Sequence, residues 1–135
     1  VNQGSLYSAA AGVVDVILIE LERRGDLSAE AWYLLDAIFR GASHGRTVFI
    51  DGDELKIDDY CRNRIIGTLS LIEDAATGAM GEEFRGIVFL LGGMAEFCPI
   101  VSEILEREVV ASTGERKIIA ESGLSEALEL IKESS

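Results

Sequence analysis

The sequence predicts a single α/β domain over residues 1–135, a mixed, mostly parallel sheet of four to five strands with four helices, and residues 1–5 as a flexible start. Three observations predict this. Strand-like and helix-like segments alternate along the chain, the pattern of a largely parallel sheet with right-handed crossovers. The run Gly86–Leu91 is apolar throughout, as a central strand covered on both faces would be. Hydrophobic residues make up 48% of 135 positions, enough for one core.

Each element has its own signal. Residues 13–21, Val-Val-Asp-Val-Ile-Leu-Ile-Glu-Leu, are apolar and rich in β-branched residues and read as a strand, with a weaker strand around Leu6–Ala11 before it. Arg23-Arg24-Gly25-Asp26 turns the chain. Trp32, Leu35, Ile38 and Phe39 recur at helical spacing and predict an amphipathic helix over 28–40, capped by Asp26 or Ser28. Gly41–Gly45 closes it, and residues 46–51 form a short strand. From Asp58 onward Ile65, Leu69, Ile72 and Ala76 lie on one helical stripe. After the strand over 86–91, Pro99 opens a helix that runs to about Arg107, because proline is tolerated in a first helical turn. A last strand over 117–121 and a last helix over 125–132 complete the order.

Charge narrows the function classes. The formal net charge is −12. Nucleic acid is excluded as a partner, because binding its backbone needs surplus Lys and Arg to displace counterions. Anionic membrane surfaces are disfavoured for the same reason. No stretch reads as a membrane span, and residues 1–12 carry no Lys or Arg ahead of an apolar block, so no secretory signal is expected. Two distant cysteines, Cys61 and Cys98, fit a reducing cytoplasm better than a disulfide framework.

No catalytic motif is visible. Glycine fingerprints for phosphate, a nucleophile elbow and a Cys/His cluster are all missing from the sequence, so neither cofactor nor structural metal is expected. The lone His44 sits in a glycine-rich loop and reads as a solvated side chain. The densest carboxylate cluster is Asp51, Asp53, Asp58 and Asp59. Oxygen ligands of this kind suit Mg²⁺ or Ca²⁺. An EF-hand loop starting at Asp51 fails, since Lys56 and Arg62 stand where Gly and Glu are needed. The simpler account is a loop followed by a helix whose N-terminus carries Asp58 and Asp59, a position the helix dipole favours.

Taken together, Gly25-Asp26-Leu27-Ser28-Ala29-Glu30, the strand Val48-Phe49-Ile50-Asp51 and the helix start Ile57-Asp58-Asp59-Tyr60 resemble a STAS domain, the fold of anti-sigma factor antagonists. The stretch from Ile57 to Ile66 is most similar to the stressosome scaffold proteins. The resemblance implies a non-catalytic, cytoplasmic signalling protein working by partner switching. Its partners would be a serine/threonine switch kinase and other STAS subunits, in a homo-oligomer or large hetero-assembly. It places Asp59 at the family's phospho-acceptor position, where a carboxylate stands for the usual hydroxyl, and makes Ser28 a phosphorylation candidate. Ser28 also suits a helix N-cap, the more economical reading. Asp58, Asp59, Tyr60, Arg62 and Asn63 would form the partner-binding surface on the exposed side of the helix. The alternatives are a metal-binding module or small enzyme built on the Asp51/Asp53/Asp58/Asp59 cluster, and the soluble STAS tail of an anion transporter.

Overall fold

Helices, not strands, carry most of this chain. A computed structural model describes residues 3–41, 47–50 and 53–134. The elements are α1 (Gln3–Arg24), α2 (Ala29–Arg40), β1 (Thr47–Ile50), β2 (Asp53–Lys56), α3 (Ile57–Ile66), α4 (Leu69–Gly78), α5 (Gly81–Met94), α6 (Val101–Ala111) and α7 (Gly114–Ser134). The expected α/β fold with its mostly parallel sheet is therefore contradicted, and with it the STAS-like architecture. Among the described residues the strands are one antiparallel pair, β1 against β2, with Thr47 opposite Lys56 and Ile50 opposite Asp53.

Four of the expected strands are helical for identifiable reasons. Both segments over 6–11 and 13–21 lie within α1. There Ala11, Val14, Leu18 and Leu21 are buried, the spacing of one helical face, while Val13, Val16 and Ile19 fill the opposite face and hide the period. The run 86–91 lies inside α5, the central helix, which packs against α2, α4, α6 and α7. A helix enclosed on all sides is apolar all round, and over six residues that pattern matches a buried strand. Residues 117–121 fall within α7, where Ile119, Ala120, Gly123 and Ala127 form the buried stripe. The segment expected at 46–51 does contain a strand, β1, but it pairs with the polar β2 rather than with a central sheet.

The helix expected over 28–40 is α2, with Trp32, Leu35 and Phe39 buried. Ser28 is its N-cap, and its Oγ accepts from the Ala31 N–H at 3.2 Å. The long stripe from Ile65 to Ala76 divides into α3 and α4, separated at Gly67 and Thr68. Two glycines let α5 sit close to its neighbours. A Cβ on Gly86 would come within 2.7 Å of Trp32 Cβ, and one on Gly123 of α7 would strike Val88 Cγ1. The core thus lies along α5, and α1 sits at the periphery, packed on α3, β1 and α2.

Candidate functional site

Of the residues expected to form a surface around the start of α3, the side chains of Asp59, Tyr60, Arg62 and Asn63 are described. Asp58 and Asp59 follow Ile57 in the first turn of α3, and the Asp58 side chain lies outside the described residues. Asp59 is exposed, and its Oδ1 lies 3.4 Å from Arg62 Nη2. Arg62 is half-buried, with its guanidinium 4.8 Å from the centre of the Phe97 ring. Asn63 is exposed. Ser28 is exposed too, but its described bond is the cap of α2. Asp51 and His44 lie outside the described residues, as does the side chain of Asp53. Among the described residues no group of three or more His, Cys, Asp and Glu side chains is placed to hold a metal ion.

Tyr60 turns inward, toward α1. Its hydroxyl donates to Asp15 Oδ2 at 2.9 Å and lies 3.1 Å from Oδ1, while Arg64 Nε donates to Asp15 Oδ1 at 2.8 Å. Asp15 interrupts the apolar run of α1 because this side of the helix faces two donors of α3. The bond to Asp15 and then partial burial push the Tyr60 hydroxyl above its ordinary range, and the Asp15 carboxylate likewise raises Arg64.

A second polar cluster lines a cleft of about 390 Å³ bounded by Asp36, Arg40, Phe89, Ser122, Gly123 and Glu126. Arg40 donates to Asp36 Oδ1 at 2.6 Å, to Glu126 Oε2 at 2.7 Å and Oε1 at 2.9 Å, and to the Phe89 carbonyl at 2.6 Å. Those bonds occupy most of the five N–H donors of a guanidinium. The bond to Glu126 is the largest cause of the raised Arg40 pKa, which keeps the side chain cationic. The cluster ties α2, α5 and α7 together and leaves little donor capacity for a ligand.

The surface that sequence reasoning missed is the outer face of α1. Val13, Val16 and Ile19 follow one another at i, i+3 and i+6 and are 39%, 68% and 59% exposed. At its end Glu20 is held by Arg23 Nη2 at 2.6 Å and by Arg24 Nη1 at 3.5 Å, and the Arg23 bond lowers the Glu20 pKa. The sequence signal was present: a long apolar helix with two apolar faces can bury only one of them at the edge of a fold.

No family model, no curated protein and no solved structure matches this chain. Among the described residues no helix is long and apolar enough to cross a membrane.

Proposed function

We propose that the protein is a non-catalytic binding module, a helical body that presents one apolar helix face to another protein. The observation that carries this reading is the exposed row Val13, Val16 and Ile19 on α1. Single exposed apolar side chains are ordinary, whereas apolar side chains exposed side by side on one helix face offer a surface that a partner can cover. The geometry suits helix recognition, in which anchors three or four residues apart enter a partner's groove or pack on a partner's helix. Behind the row, Asp15 bonded to Tyr60 and Arg64 fixes the rotation of α1, so the row is held outward by the fold.

Of the functions expected from sequence, this reading keeps protein binding and relocates it from α3 to α1. Partner switching under a kinase drew on the STAS element order, and the helices leave that order without support. The test is co-purification from the native host of tagged wild type and the Val16→Glu variant, with mass spectrometry of what each retains. At least one protein is retained by wild type and lost by the variant. Identical retained sets for the two overturn the proposal.

A further inference from the structure

Two properties of the α1 face bear on what covers it. The first is charge. Charged residues make up 27% of the chain, yet residues 1–19 contain one, Asp15, and it is turned to Tyr60 and Arg64. At the border of the face, Glu20 lies between the guanidiniums of Arg23 and Arg24. The carboxylate nearest the face is therefore paired, on a molecule whose net charge is −12. A basic partner would be drawn to the acidic remainder of the surface and would gain nothing in charge here. Two copies of an acidic protein repel through most orientations, and they meet at least cost where carboxylates are missing or paired. A two-fold contact sets a patch against itself, so it suits an uncharged apolar row and penalises a charged one.

The second property is Gly12. It lies in α1 on the same outward side as Val13, Val16 and Ile19, is exposed, and a Cβ built there meets nothing within 4 Å. Its φ is not in the left-handed region. A single copy thus gains nothing visible from a glycine that costs a helix interior roughly 1 kcal/mol relative to alanine. What glycine offers at such a place is close approach of a second backbone.

We infer that the protein self-associates as a two-fold dimer through α1, with the two helices antiparallel about Val16. In that arrangement Val13 of one copy meets Ile19 of the other, and the Glu20 side chain of each passes over the space left at Gly12. The inference rests on the proposed binding role of this face and names its occupant.

The test is sedimentation velocity of the full chain from low micromolar to submillimolar concentration, on wild type and Val16→Glu. Wild type reaches the mass of two chains at the upper end. Val16→Glu puts two like charges face to face at the symmetry axis and raises the dissociation constant by at least roughly a hundredfold. The variant still folds, because Val16 is largely solvent-facing in the single copy, and an unchanged circular dichroism melt of dilute protein verifies this. A second arm needs no loss of function: Val16→Cys forms a disulfide-linked dimer on mild oxidation, and Glu121→Cys, exposed on α7, does so no faster than wild type. Wild type that stays monomeric throughout overturns self-association, as does Val16→Cys that links no faster than Glu121→Cys. If wild type is monomeric but Val16→Glu still loses a co-purifying protein from native cells, the dimer falls and the binding role stands. If neither is seen, both fall.

Discussion

The guanidinium of Arg116 lies over the Phe84 ring, 3.9 Å from its centre, and this stacked pair sits where α4, α5, α6 and α7 meet. Arg116 Nη2 donates to the Ala76 carbonyl at 2.6 Å and Nε to the Ala79 carbonyl at 3.1 Å, so an arginine of α7 satisfies carbonyls at the end of α4. Nη1 lies 3.0 Å from Glu108 Oε2 and also bonds Ser112 Oγ. Glu108 and Ser112 are the buried polar residues of the described core, and Arg116 bonds both.

Removing that arginine leaves Glu108, 8% exposed, as an unpaired buried charge. Breaking such a pair from one side costs about 3 kcal/mol or more. Arg116→Met is expected to lower the unfolding free energy by that amount, read in urea as a lower midpoint at an unchanged m-value. Arg116→Met combined with Glu108→Met removes the stranded charge and recovers part of the loss. A double variant as unstable as the sum of the two single variants contradicts this account.

Ser28 is tested through its cap of α2. Its Oγ takes the Ala31 N–H, and Ser28→Ala forfeits that bond at a cost of about 1 kcal/mol. Ser28→Asp keeps an acceptor at the cap and adds a charge favoured at a helix N-terminus, so it melts close to wild type. Thermal melts of the two variants decide it: if Ser28→Ala matches wild type, the cap contributes nothing to the fold.

What the sequence made legible follows from how different the two sides of each helix are. α2 was readable because Trp32, Leu35 and Phe39 face the core while Glu30 and Arg40 do not, and because Ser28 stands at its start. In α1 and α5 that contrast is missing. Val13, Val16 and Ile19 oppose Val14, Leu18 and Leu21, and Ile87, Val88, Leu90 and Leu91 are all buried, so local pattern favoured strands while tertiary packing made helices. β1 was visible as Val48-Phe49-Ile50, but its partner Asp-Glu-Leu-Lys is polar and read as loop, although Asp51-Gly52 between them is a two-residue hairpin signature. At the candidate site, Tyr60 and Arg62 are typical surface-contact residue types, and their actual partners, Asp15 and Phe97, are distant in sequence. Only the fold brings them together.

Gly86 tests the closeness of α2 and α5. A Cβ there stands 2.7 Å from Trp32 Cβ, and Trp32 is fully buried, so the clash meets an atom next to the backbone rather than a flexible side-chain end. Overpacking of this kind costs about 1–3 kcal/mol, outweighing alanine's helix preference of about 1 kcal/mol. Gly86→Ala therefore destabilises, whereas Gly12→Ala, which meets nothing within 4 Å, stabilises a dilute single copy. Denaturant titrations at low protein concentration give the two signs, and a stabilised Gly86→Ala contradicts the packing.

Stability should fall at alkaline pH through two tyrosines. The Tyr60 hydroxyl is raised above its ordinary 10.0, first by the bond to Asp15 and then by burial. Tyr33 is raised as well, first by burial and then by its bond to Glu82, made at 2.9 Å. A raised folded-state value means that the fold prefers the protonated phenol. The stability this supplies is complete below the unfolded-state value of about 10 and is lost as pH climbs through the higher folded-state values. The paired variant Tyr33→Phe, Tyr60→Phe cannot ionise at these positions and forgoes both hydrogen bonds to carboxylates. It is therefore less stable than wild type below pH 10, and the gap closes as pH rises above it, because the deprotonated phenolates of wild type face Glu82 and Asp15 as like charges. Melting curves of both proteins across that range measure the gap, and one that stays constant or widens contradicts the assignment.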